Sequence, residues 1–137
     1  NNTLKNVYDY EPIQPEWEPE AAANLLGVQG SLWTEFVNSP KDVEYLLFPR
    51  LAAIAEIAWS GKDQKDWPGF LKRLDVLTGH YDYLEVNYAR SMFNIDHQVT
   101  GDNDTLKVAL TCIRPDMEIR YTVDGSEPQA SSPLYTD

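Results

Sequence analysis

Apolar and polar positions change period along this chain, and the changes divide it. Thr3 to Tyr10 reads as a turn or two of helix, closing at Glu11-Pro12. Pro12, Pro15 and Pro19, with Trp17 between them, predict an extended surface loop holding one anchored aromatic. A short helix from about Glu20 to Leu25 follows, then a strand through Val28 and a loop bearing Trp33 and Glu35.

Ser39-Pro40-Lys41-Asp42 has the form of a helix start: a hydroxyl cap, proline at the first helical position and an acid at the third. Apolar residues then recur at helical spacing at Val43, Leu46, Leu47, Leu51, Ile54, Ala55 and Ala58. Pro49 falls inside that stripe and predicts a kink, or a restart one turn on. Arg50 lies on the apolar stripe, which predicts a carboxylate beside it; Glu56 and Glu35 are the candidates, for structural pairing before any catalytic role. Ser60-Gly61-Lys62 ends the helix, and a second begins near Asp66-Trp67-Pro68, with Phe70, Leu71, Leu74, Leu77, Tyr81 and Leu84 as core contacts. His80 reads as a surface or locally satisfied histidine. One strand cannot make a sheet, and two amphipathic helices need something to lie on, so this part reads as a slice of an α/β protein.

After Asn87-Tyr88 the composition shifts. From Thr105 the period is two, with Leu106, Val108, Leu110 and Cys112 on one face and Lys107, Ala109 and Thr111 on the other. A turn at Arg114-Pro115-Asp116 leads to Ile119, Tyr121 and Val123, a hairpin signal at Asp124-Gly125, and another short strand after Ser132-Pro133. These are the opening strands of an antiparallel β-sandwich.

Charge narrows the partners. A formal net charge of −11 disfavours nucleic acid, whose phosphates need Lys and Arg, and disfavours anionic membrane surfaces. A neutral glycan is indifferent to it. Cys112 is the single cysteine, so the chain has no internal disulfide and no thiolate cluster. His80 and His97 are not spaced as a metal pair, and no apolar run approaches the ~20 residues of a membrane span. Asn1-Asn2-Thr3 opens without Met or a targeting segment, and Leu134-Tyr135-Thr136-Asp137 stops as a strand begins, so the chain reads as part of a longer one.

The candidate chemistry is in Leu25 to Glu35. Small residues at Gly27, Gly30 and Ser31 let other backbone come close, and Trp33 and Glu35 follow two residues apart. In extended chain that spacing puts both side chains on one face. An aromatic plane beside an acceptor-only carboxylate suits a sugar ring, covering its C–H face and taking hydrogen bonds from its hydroxyls. The alternative is structural: a tryptophan ending an apolar run is commonly core, and a lone glutamate commonly a solvated face.

Three segments together resemble the C-terminal end of a glycoside hydrolase family 20 β-N-acetylhexosaminidase. They are Val7-Tyr8-Asp9-Tyr10-Glu11-Pro12, Leu26-Gly27-Val28-Gln29-Gly30-Ser31-Leu32-Trp33-Thr34-Glu35, and Phe48-Pro49-Arg50-Leu51-Ala52-Ala53-Ile54-Ala55-Glu56-Ile57-Ala58-Trp59-Ser60. Trp67, Phe70-Leu71, Arg73-Leu74 and Asn87-Tyr88 continue in the family's order, and residues 119–135 resemble the sandwich that often follows the barrel.

The resemblance implies that residues 1–94 are the last part of a TIM barrel, with the eighth strand and the helices after it, and that 95–137 start a β-sandwich domain. The matching Trp, here Trp33, forms an aromatic wall for the terminal N-acetylhexosamine. The matching Glu, here Glu35, accepts hydrogen bonds from hydroxyls on the far side of that sugar. The implied partner is a glycan ending in N-acetylglucosamine or N-acetylgalactosamine, with no nucleic acid, membrane insertion, cofactor or metal, in a periplasmic or extracellular setting. The family hydrolyses with retention by substrate assistance: the 2-acetamido oxygen attacks the anomeric carbon, an Asp orients that amide, and a Glu protonates the leaving oxygen. That Asp-Glu pair is adjacent in sequence, and no Asp-Glu dipeptide occurs in these 137 residues. The expectation is therefore an enzyme as part of a longer chain, with one wall of the pocket here and the catalytic pair elsewhere. The alternative is a non-catalytic carbohydrate-binding or scaffold module.

Overall fold

The computed structural model describes residues 2–102 and 105–136, without the Asp102 side chain. Asn1 and Asp137, with which the reading of the two chain ends began and closed, lie outside the described residues. The chain forms two compact units, Asn1–Ser91 and Met92–Asp137.

The first unit is helical. Helix α1 (Leu4–Asp9) is capped by Thr3, whose side chain accepts from the Asn6 amide, and α2 is the short Pro19–Ala23. Ser39 caps α3 (Pro40–Leu47) by accepting from Asp42 N, and Asp42 accepts in turn from Asn38 N at 3.0 Å. Pro49, joined to Phe48 through a cis peptide, ends α3, and α4 (Arg50–Trp59) restarts at the next residue. Asp66 caps α5 (Trp67–Tyr83) through Gly69 N. Helix α1 packs on α4, and an aromatic cluster of Tyr8, Trp67 and Phe70, with ring centroids 4.8–5.5 Å apart, ties α1 to α5. Core positions expected on α5 hold at Phe70, Leu71, Leu74 and Tyr81, whereas Leu84 is exposed because the helix ends at Tyr83. That end is a Schellman turn: Val86 N donates to Tyr81 O and Glu85 N to Asp82 O, with Glu85 at φ 56° where glycine is usual. The loop beyond is pinned to α3, with Asn87 N donating to Glu44 and Ala89 N to Phe48 O.

Two expectations for this unit are corrected. Residues 25–34 form no strand among the described residues: the segment runs irregularly and pairs with no other, and a strand is defined by its ladder partner. Among the described residues, Arg50 pairs with no carboxylate. Its guanidinium donates to the carbonyls of Asn2 (2.8 Å), Leu46 (2.8 Å) and Tyr45 (3.3 Å). The break at Pro49 leaves the last carbonyls of α3 unpaired at its negative end, and a cation on the next turn satisfies them. Glu56 pairs instead with Arg73 of α5.

The second unit holds β1 (Ile95–Asp102) and β2 (Thr105–Cys112), antiparallel and in register from Ile95 opposite Cys112 to Asp102 opposite Thr105. This register puts Ile95 and Val99 on one face with Leu106, Val108, Leu110 and Cys112. Among the described residues the expected sandwich is reduced to this two-stranded sheet and one bridge, Arg120 with Leu134, flanked by Tyr121 N to Pro133 O and Tyr135 N to Ile119 O. Asp124-Gly125 makes a local turn, in which Asp124 accepts from Ser126 N and Oγ, and not a two-residue hairpin. The strand partner of 119–121 lies further on, at 133–135. Tyr135 accepts from Leu110 N, tying this bridge to β2, and buried Arg114 is held by Asp116 and the Phe93 ring.

Candidate functional site

The segment from Leu25 to Leu32 is placed by α4. Gly30 lies so close to that helix that a Cβ built on it would stand 2.6 Å from Ile54 Cδ1. Val28, Gln29, Gly30, Ser31 and Leu32 form one side of a concavity of about 380 Å³, with Asn6, Val7 and Tyr10 of the α1 region and the apolar stripe of α3 and α4 opposite. The apolar stripe is left partly uncovered here, and Arg50, which also lines the hollow, is already engaged with carbonyls.

A second, open hollow lies where the segment emerges, lined by Ser31, Leu32, Trp33, Thr34 and Glu35. Trp33 is 76% exposed and Glu35 is exposed as well. Among the described residues, no hydrogen bond or ion pair engages the Glu35 carboxylate, so its acceptor capacity is free. Strand alternation does not carry Trp33 and Glu35 to one face, since the segment is irregular and then turns. The chain turns at Glu35-Phe36, and Val37 N donates to Thr34 O at 3.1 Å. Trp33 and Glu35 nevertheless line the same open hollow. An exposed indole and an unpaired carboxylate on one open concavity can cover an apolar face and accept hydroxyl protons.

Among the described residues, no cluster of three His, Cys, Asp or Glu side chains is disposed to hold a metal. His80 Nδ1 bonds the Val76 carbonyl within its own helix. The phenols of Tyr8, Tyr81 and Tyr88 are all pushed up, in each case first by burial, and belong to the helical core. Trp17, the other aromatic the sequence singled out, is 42% exposed in the proline loop and lines neither hollow.

Residues 1–62 match the family described as glycosyl hydrolase family 20, catalytic domain, a stretch that includes Trp33 and Glu35. Residues 99–137 match the chitobiase/beta-hexosaminidase C-terminal domain. A beta-hexosaminidase of Porphyromonas gingivalis is 32% identical over 97% of this chain and 17% of its own length. A beta-N-acetylhexosaminidase of Cellulomonas fimi is 37% identical over 52% of the chain and 14% of its own. Among solved structures, the GH20 exo beta-N-acetylglucosaminidase from Vibrio harveyi in complex with N-acetylglucosamine matches with TM-score 0.56 and 37% identity, covering 64% of this chain and 14% of that one. The chain thus spans less than a fifth of the length of these relatives. With a catalytic-domain match that carries the Trp33–Glu35 segment and a hexosaminidase C-terminal match behind it, this chain belongs to glycosyl hydrolase family 20.

Proposed function

We propose that this chain is the C-terminal portion of an exo-β-N-acetylhexosaminidase, and that Trp33 and Glu35 form one wall of its pocket for a terminal N-acetylhexosamine. The observation that carries this reading is the open hollow lined by both residues, with the Glu35 carboxylate free of partners among the described residues. Trp33 covers the apolar face of the pyranose. Glu35 takes hydrogen bonds from the 4- and 6-hydroxyls, remote from the scissile bond, each charge-assisted bond contributing about 1.5–3 kcal/mol. Residues 1–94 would complete a barrel and 95–137 begin the domain that follows it. Barrel enzymes carry their chemistry on the loops at the C-terminal ends of strands, the position this reading gives to the Trp33–Glu35 loop.

The reaction is retaining hydrolysis assisted by the substrate's own 2-acetamido group, and its Asp-Glu pair belongs upstream of the present residues. The present residues bind and orient; they transfer no proton. The parent protein, assayed on an aryl N-acetyl-β-glucosaminide, is expected to be active. Glu35→Gln and Trp33→Ala are each expected to raise KM about tenfold or more, which corresponds to the loss of ~1.4 kcal/mol or more of binding. A parent that retains the acidic pair yet is inert on such substrates would count against the enzyme and favour a carbohydrate-binding or scaffold role. Unchanged kinetics in Glu35→Gln would remove that residue from the site.

A further inference from the structure

The segment that leads to Trp33 and Glu35 lies against α4 at Gly30. Gly30 is three residues before Trp33 and immediately precedes Ser31, which lines the hollow. Its Cα faces Ile54, and a Cβ there would approach Ile54 Cδ1 to 2.6 Å, far inside the ~3.5–4.0 Å at which carbon atoms rest. Ile54 sits on α4 between Ala53 and Ile57, both buried, on the helix that packs against α1. A β-branched side chain on a helix is confined almost to a single χ1 rotamer, so Cβ and Cγ1 of Ile54 are held and only the terminal Cδ1 can turn, about χ2. A methyl on residue 30 therefore pushes the unpaired segment off α4 unless Cδ1 turns aside. Of the remaining glycines, Gly27, Gly61, Gly79 and Gly125 would present a Cβ to open space, and none of these lies against α4.

We propose that Gly30 is a positioning residue for the sugar-binding wall: its bare backbone lets residues 28–32 lie directly on Ile54, and this contact sets where Trp33 and Glu35 meet the substrate. The proposal rests on the reading of those two residues as the wall. A displacement of about 1 Å in a positioned group costs up to 10²-fold in enzymatic efficiency. Because the displaced groups bind the sugar and do no chemistry, the loss falls on KM.

The test uses the full-length protein and an aryl N-acetyl-β-glucosaminide, comparing wild type, Gly30→Ala, Ile54→Val and the double variant. Ile54→Val removes the Cδ1 atom that the new methyl would strike. We expect Gly30→Ala to raise KM about tenfold with kcat within twofold, and the double variant to return KM to within about threefold of wild type. Gly61→Ala, made where a Cβ meets nothing, should leave KM unchanged. An unchanged KM in Gly30→Ala overturns the proposal, as does a loss carried by kcat, or a raised KM that Ile54→Val does not relieve. If Gly30→Ala fails to fold, the double variant decides: folded protein with near wild-type KM supports the contact, and failure to recover it refutes it. Trp33→Ala and Glu35→Gln, assayed alongside, separate the two claims. Unchanged KM in both removes the wall itself, whatever Gly30 does.

Discussion

Glu35 makes the residue-scale case most clearly, since a carboxylate without a protein partner is either solvated surface or waiting for a ligand. Its neighbour Trp33 shows three-quarters of its surface, and aromatic surface of that extent beside a free acceptor suits a pyranose. Glu85 shows a different residue-scale effect. It takes a left-handed conformation, φ 56°, at the end of α5, a conformation that costs an L-residue about 1–2 kcal/mol and glycine almost nothing. Glu85→Gly in the parent protein is therefore expected to stabilise by up to ~1 kcal/mol, read as a raised melting temperature; a lowered one would show that the Glu85 side chain makes a compensating contact. Neither feature was fully visible in the sequence. The turn at Glu35 involves Thr34, Glu35, Phe36 and Val37, none of them a turn-marking residue, so nothing in the sequence ends the period-two pattern before it. The helix end at Leu84 has no glycine to announce it.

Helices were the most legible elements, because caps and apolar stripes are written locally. Ser39-Pro40-Lys41-Asp42 and Asp66-Trp67-Pro68 start α3 and α5 as their cap chemistry requires. The α3 cap also carries a pH prediction. The Asn38 amide first, and then Ser39, hold the Asp42 carboxyl below the ordinary carboxylate range. A depressed folded-state pKa contributes stability that is present above the unfolded value, about 4, and is lost as pH falls through the folded one. Thermal melts of the parent protein are thus expected to separate wild type from Asp42→Asn at neutral pH and to converge toward pH 3. A gap that persists undiminished in acid would assign the effect to something other than the charge. Contacts between elements were less legible. Arg50 found backbone carbonyls where the sequence offered only carboxylates as visible partners, because the free carbonyls of α3 exist only once Pro49 has broken the helix. Strand β1 went unseen because Ile95 and Val99 are its only large apolar residues, with His97 between them on the same face.

At the scale of the whole molecule, many large apolar side chains are uncovered. Leu26 is 100% exposed, Val123 92%, Trp59 91% and Phe36 90%, and the irregular segment 25–34 of the first unit has no ladder partner among the described residues. Exposed apolar surface and unpaired edges on this scale mark faces that pack against something. The isolated 137-residue chain is accordingly expected to give no glycosidase activity and no cooperative monomeric melt; a sharp two-state transition at low concentration would show that it is self-sufficient. Much of the site's meaning came from family likeness at this scale, because two exposed side chains on a hollow do not by themselves name a sugar.

The most direct measurement is a hydroxyl-deletion cycle on the full-length protein, comparing an N-acetyl-β-glucosaminide with its 4-deoxy and 6-deoxy analogues in wild type and in Glu35→Gln. If Glu35 holds those hydroxyls, deoxygenation weakens wild-type binding about tenfold or more and weakens the variant far less, since the lost bonds are the same ones. Equal losses in both proteins would place Glu35 away from the sugar and contradict the assignment.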